Sequence, residues 1–317
     1  MRNGVFRGER ASVSWVAFPR QNPLNNISIF AACVLIWGTT WLAITWQLGP
    51  VAPEVSVSHR FLLAALIVAA WCRLRGLSLR YRPAEHLALA LQGVAMYSVS
   101  YVLIYHAEVH VASGLAAIGY SASPLLAAIG TRLFFRQHVT ARVALGSLLG
   151  ILGIVLVYWP EFARVNPGQN VALGAVLVAL AVLISNAGSL LAQRNHGRGL
   201  FGWPAMAWSM AYGGLCSLIV ALALGRPYTI DLGAPYLLSL AYLVLLGSIA
   251  TFAGFLTLVG RIGAPRASYV GVMAPIVALV VSALFEDFAW HPLTVAGVAV
   301  SLLGNVLVLG GTPRAAS

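Results

Sequence analysis

Two tryptophans, Trp37 and Trp41, stand four residues apart in IWGTTW (36–41), and Tyr97 and Tyr101 repeat that spacing in YSVSY (97–101). Residues i and i+4 share one face of a helix. Rings on one face form either a stripe packed against a neighbour or the wall of a cavity. In a cavity the hydroxyl and indole N–H groups hold the polar part of a solute and the rings meet its apolar part. Thr40 lies beside the tryptophans, and Gln92 precedes the tyrosines on the same run. Tyr120 stands just before Ser121, Ser123 and Pro124; Asn186 lies in ISNAGS (184–189); Trp208 and Tyr212 are again four apart; Tyr269 precedes Pro275. A polar group inside a long apolar run is costly unless partnered, so each is either glue between helices or a solute contact. The candidate substrate-binding residues are therefore Trp37, Thr40, Trp41, Gln92, Tyr97, Tyr101, Tyr120, Asn186, Trp208 and Tyr269. Pro124 and Pro275 are candidate kinks or gates, because proline removes a helical hydrogen bond and opens the local backbone.

This chemistry binds and does not react. A membrane enzyme, the rival class, needs paired acids with histidines or bases at one membrane face; the inner loops carry arginine without matching acids. No catalytic residue is assigned. His106 and His110 flank Glu108, but a metal site needs converging ligands, and Cys33, Cys72 and Cys216 are isolated. No metal and no cofactor is expected. No Asp, Glu or Lys falls at the middle of an apolar run, which argues against proton coupling through a buried acid and for a facilitator or exchanger. The expected cavity has neither acid nor base and so suits a neutral or zwitterionic solute. Arg60 begins the second run on the outer side, where it either snorkels to headgroups or guards a vestibule.

The elements that position these residues follow from composition. Of 317 residues 60% are hydrophobic and only 9% charged, against roughly 25% charged in a soluble domain. Lipid must replace water over much of the surface. Runs such as ALGSLLGILGIVLVYW (144–159) are long and do not alternate, which excludes a β-barrel. The fold expected is all-α and integral to the membrane, with ten spans at 27–47, 57–74, 86–105, 111–133, 141–160, 171–192, 203–224, 235–259, 264–285 and 292–311. All nineteen basic residues are arginine, dispersed in short clusters between the runs, so the charge of +11 does not indicate nucleic acid. With the N-terminus inside, only Arg60, Arg164 and Arg226 fall outside. That bias predicts two cytoplasmic termini.

The chain resembles itself at an offset of 151 residues. LGSLLGILGIVLV (145–157) lies over AGVAVSLLGNVLV (296–308), pairing Gly146 with Gly297 and Gly153 with Gly304; at the same offset Pro124 meets Pro275. Two copies of five spans would be inverted relative to each other, the arrangement on which alternating access is commonly built, with the substrate site near the midplane between them.

IWGTTW (36–41), RFLLAALIVA from Arg60, SASPLLAAIGTRLFFRQHVTARVALG (121–146), GAPRAS (263–268) and ALFEDFAWHPLTVAG (283–297) together resemble the EamA-type exporters of the drug/metabolite transporter superfamily. The resemblance covers about 27–311. It implies a cytoplasmic tail (1–26), a first five-helix repeat (27–160), a second (171–311) and a cytoplasmic tail (312–317). Gln137 stands where such proteins often carry Glu. The family implies export of small metabolites across a bacterial inner membrane, with neutral or aromatic amino acids as the first expectation and cationic drugs or sugar- and nucleotide-type metabolites as alternatives. The partners expected are a small solute and the bilayer, with no nucleic acid, no ATPase subunit and a monomeric state.

Overall fold

The computed structural model describes residues 23–123, 126, 140–163, 170–262, 269–286, 288 and 290–311, and every regular element among them is helical. In chain order these are α1 (Pro23–Thr45), α2 (Pro53–Leu74), α3 (Pro83–Ala107), α4 (Ser113–Gly119, followed by a 3-10 turn at Tyr120–Ala122), α5 (Ala141–Ala163), α6 (Val171–Gly197), α7 (Gly202–Ala223), α8 (234–262), α9 (Tyr269–Phe285) and α10 (Pro292–Gly311). Local chemistry sets several of the starts. α2, α3 and α8 carry proline in the first turn, where the missing N–H has no helical partner to lose. Glu85 accepts from the Arg82 backbone N–H at 2.6 Å, and Asn170 caps α6 by accepting from the Leu173 N–H at 3.0 Å.

α3 and α8 are not regular throughout. Each widens into a π-helical segment, Ala95–Val99 in α3 and Leu243–Ala250 in α8. Shifting the first by 151 residues lands it on 246–250, inside the second. Such widenings loosen the hydrogen-bond ladder and are frequent at functional sites.

The burial pattern is inverted relative to a soluble protein. Leu66, Leu74, Leu148, Ile219, Leu284 and Leu303 lie largely exposed on the outer surface, while Ser56, Ser58, Ser100, Ser113, Ser209 and Ser217 are fully enclosed. An apolar exterior over a polar-containing interior is what lipid as solvent selects. The chain is an all-α, multi-pass membrane protein.

Helix packing has an internal symmetry. α1 packs on α8 and α9, α6 on α3 and α4; α2 meets α7 and α8, α7 meets α2 and α3; α4 meets α9, and α5 meets α10. Exchanging the first five helices with the second five maps this set onto itself. The α5–α10 pair is antiparallel and glycine-lined. A Cβ on Gly153 would sit 2.5 Å from the Gly297 carbonyl oxygen, one on Gly297 2.6 Å from the Gly153 oxygen, and one on Gly304 2.4 Å from the Gly146 oxygen. Gly146 and Gly153 are the residues that the 151-residue offset equates with Gly297 and Gly304, so Gly153 touches the counterpart of Gly146 and Gly146 touches the counterpart of Gly153. That reciprocal exchange fits a repeated fold. Asn305, fully within α10, bonds back to the Ser301 carbonyl at 3.1 Å.

The span count needs correction. Among the described residues, seven helices are long and apolar enough to cross a membrane: α1, α2, α3, α5, α6, α7 and α8. α9 and α10 contribute shorter apolar stretches, Val270–Phe285 and Pro292–Leu307. An odd number of crossings puts the two ends of a chain on opposite sides, so the expectation of two cytoplasmic termini is overturned. An arginine bias fixes the side of each terminus only when every apolar run crosses. A 17-residue helix such as α9 is only about 25 Å long, short of the roughly 30 Å core, so a run does not by itself establish a crossing.

Candidate binding site

Four helices, α1, α2, α3 and α8, bring rings and one cation together. The Trp37 indole N–H donates to the Gly247 carbonyl at 3.3 Å, and its ring meets Phe252 at 5.4 Å and Phe255 at 5.5 Å. The carbonyl it reads lies in the π segment of α8. A Cβ at Gly247 would lie 2.7 Å from Thr40 Cγ2 and 3.5 Å from Arg60 Nη2, so α8 reaches α1 and α2 because position 247 carries no side chain. Thr40 is buried and turns its hydroxyl back to the Trp37 carbonyl at 2.7 Å. From α3, Tyr97 packs on Phe61 at 5.2 Å and on Phe252 at 6.0 Å, and Tyr101 stands edge-on to Phe61 at 4.8 Å.

Arg60 lies at the centre of this group. Its side chain is 2% exposed, so neither snorkelling nor a vestibule position describes it. The guanidinium lies over the Tyr101 ring at 4.7 Å and the Phe61 ring at 5.2 Å, and its Nε donates to Ser248 Oγ at 3.2 Å. Nη1 is buried without a hydrogen-bond partner among the described residues. Arg60 thus brings a base into the aromatic cluster, where the sequence led to an expectation of neither acid nor base. Its depth has a plain origin. α2 starts at Pro53, not at 57, so Arg60 lies about two turns, roughly 10 Å, along the helix.

The other candidates fall into two groups. Trp41 meets Tyr120 edge-on at 5.2 Å, and both, like Tyr101, pack on the core cluster that contains Tyr97. Asn186 donates to Ser123 Oγ at 3.2 Å and to the Val182 carbonyl at 2.8 Å, tying α6 to the end of α4. Gln92 and Trp208 are elsewhere. Gln92 accepts from Asn195 at 2.8 Å; the Trp208 indole donates to the Leu79 carbonyl at 2.9 Å, with its ring against His86 and Tyr212. Both lie toward the 75–82 connection, where α3 meets α6 and α7. Pro275 is buried within α9. Pro124 and the Tyr269 side chain lie outside the described residues. The residues that spacing missed are Phe61, Gly247, Ser248 and Phe252. Phe252 had a signal, since the 151-residue offset sets it against Tyr101. Beside the cluster, the α1–α8 seam opens into a groove of about 430 Å³ lined by Thr39, Leu42, Ala43, Trp46, Leu238 and Tyr242.

Acids gather at the end of the bundle where α2 begins and α3 ends. Glu54 accepts from or pairs with His106 Nε2 at 2.7 Å. The Glu286 carboxylate accepts from the Ser113 backbone N–H at 3.2 Å and from its hydroxyl. Glu108, in the turn after α3, is buried, and both of its oxygens are unbonded among the described residues. Burial first, and then the charge of Glu286, hold its carboxyl well above the ordinary range, partly opposed by Arg60. A carboxyl raised on folding stabilises the fold below its unfolded value and loses that contribution as pH rises through its folded value. The thermal stability of the detergent-solubilised protein is therefore expected to fall as pH rises above the usual carboxylate range, by up to about 1.4 kcal/mol per pH unit. Glu108→Gln should flatten that slope; an unchanged slope would mean that another group carries it. Among the described residues, no three His, Cys, Asp or Glu side chains converge as a metal site would require.

The arrangement can hold a small solute, and comparison with known proteins agrees on the class. Residues 25–159 match the EamA-like transporter family. The chain is 26% identical to an uncharacterized transporter of Archaeoglobus fulgidus over 89% of this chain and 97% of that one. It is 24% identical to the uncharacterized transporter YdfC of Bacillus subtilis (87% and 86%) and 27% identical to the uncharacterized inner membrane transporter YedA of Escherichia coli K12 (78% of each). A solved crystal structure, 17% identical, shares the fold with a TM-score of 0.64 over 90% of this chain and 96% of that chain. Residues 25–159 thus match a transporter family, and relatives that align with most of the chain carry the name transporter: the chain is similar to EamA-like membrane transporters.

Proposed function

We propose that the chain exports a small, partly apolar metabolite, a neutral or aromatic amino acid, across the bacterial inner membrane by alternating access. The moving parts are two inverted halves, 27–160 and 171–311. The observation that carries this reading is the origin of the site residues. Trp37, Thr40, Arg60, Phe61, Tyr97 and Tyr101 come from the first half, and Gly247, Ser248 and Phe252 from the second. A site shared between halves is one that rocking can expose to either side in turn. The reciprocal glycine contacts of α5 and α10 and the matched π segments of α3 and α8 support the two-fold relation. The membrane is inferred from relatives such as YedA, and the outward direction from the family resemblance. The reading requires no ATPase subunit and no second copy of the chain.

The test is uptake into proteoliposomes across the neutral and aromatic amino acids. Trp37→Ala, Tyr97→Ala and Tyr101→Ala should each lower the transport of the best substrate by about tenfold or more, as expected for losing a ring contact of 1–3 kcal/mol. Tyr97→Phe keeps the buried ring and so separates hydroxyl contacts from packing. Unchanged transport in all three alanine variants would remove the site from this cluster.

A further inference from the structure

We infer that Arg60 is the anchor for a carboxylate of the transported solute, an assignment that rests on the carrier reading above. A guanidinium keeps its charge inside proteins. Taking such a charge out of water costs several kcal/mol even after relaxation, and an anion with good geometry is what offsets it. Arg60 has no such anion bonded to it. Its hydrogen-bond partners are neutral hydroxyls, those of Ser248 and Tyr105, and Nη1 has no partner among the described residues. Glu108 acts on it only through space, and the ion pair found among the described residues is His106 with Glu54. The rings of Tyr101 and Phe61 recover part of the cost through their faces. A side chain kept here for packing alone would be leucine or methionine.

The guanidinium also lies where the two halves of the chain meet. Nη2 is 3.5 Å from where a Gly247 side chain would begin, and that point is 2.7 Å from Thr40 Cγ2, so Arg60 sits where the π segment of α8 packs closely on α1 and α2. Trp37 and Thr40 stand at this contact, and Phe252 and Tyr97 pack beside them, an apolar and aromatic surface that suits the body of a solute whose anionic group reaches Arg60. Two parallel N–H groups match a carboxylate in a way that an ammonium does not. The solute class is a small carboxylate with an apolar body, whether or not it also carries an amine. A cationic solute without a carboxylate is disfavoured.

The experiment uses the full chain in detergent and three probes of similar shape: 3-phenylpropanoate, L-phenylalanine and 2-phenylethylamine. The two carboxylates are expected to raise the melting temperature in a saturable way, and the amine is not. Arg60→Lys should weaken apparent affinity for both carboxylates by about tenfold or more, and Arg60→Gln should abolish their effect. Should Arg60→Gln not fold, the three-probe comparison on the unmodified chain still decides. Equal stabilisation by the amine, no stabilisation by any probe, or unchanged affinity in Arg60→Lys would each overturn the assignment. Failure of the carrier reading looks different: carboxylate-dependent stabilisation that needs Arg60, with no amino-acid flux in vesicles.

Discussion

Gly153→Ala is expected to lower the melting temperature of the protein sharply, and Gly153→Leu to remove folded protein altogether. A methyl at 153 would lie 2.5 Å from the Gly297 carbonyl oxygen and 2.5 Å from the Ser301 backbone nitrogen. Both are backbone atoms and cannot rotate away, so α5 and α10 must separate. Overpacking of this kind costs typically about 1–3 kcal/mol, and more when a whole helix pair has to shift. Gly150→Ala, on the same helix, is the control. A Cβ there meets nothing within 4 Å, so the change should be neutral or gain up to about 1 kcal/mol from helix propensity. The reciprocal contact adds a sharper expectation: Gly297→Ala should cost about as much as Gly153→Ala, because each intrudes on the other's backbone in the same way. Thermal unfolding followed by size-exclusion chromatography reads all four. Equal stability of Gly150→Ala and Gly153→Ala would contradict the α5–α10 packing.

Gly247→Val should act on transport and leave the fold largely intact. The first new carbon would lie 2.7 Å from the Thr40 methyl and 3.5 Å from Arg60 Nη2, and its branches would press on Arg60 and on the carbonyl that Trp37 reads. The nearest atoms belong to the side chains of Thr40, Arg60 and Leu243, not to backbone, so side chains shift before the helix does. A transport rate at least about a hundredfold lower, equivalent to roughly 3 kcal/mol, is expected with monodisperse protein retained. Gly254→Ala meets Cys33 Sγ at 2.9 Å on the same α1–α8 seam but outside the ring cluster. It should cost some stability and little transport. Wild-type flux in Gly247→Val would mean that solute does not pass between α1, α2 and α8.

How much of this was legible in the sequence depended on what each signal measures. Low charge and long apolar runs report the solvent, and they gave helices in lipid correctly. The i and i+4 spacing of Trp37 with Trp41 and of Tyr97 with Tyr101 reports a shared face. Those four residues do pack on or beside one aromatic region, joined by Tyr120. The same spacing at Trp208 and Tyr212 led away from it, because a face does not say which neighbour it meets; there the indole serves the Leu79 carbonyl. Arg60 was visible but its depth was not. Depth depends on where a helix starts, and a start four residues earlier turned an edge residue into a buried cation. The π segment that packs beside it leaves no mark in composition. Parity of the crossings failed for a related reason, since apolar runs alone do not decide whether a short helix crosses.

The most direct test of the central claim, a carrier whose two halves expose one site alternately, is counterflow. Proteoliposomes are loaded with unlabelled amino acid, and entry of the labelled form is followed as its external concentration rises. The account predicts saturable uptake that internal substrate accelerates, and that Tyr101→Ala and Gly247→Val suppress. Uptake that rises linearly with concentration and does not respond to internal substrate would contradict it.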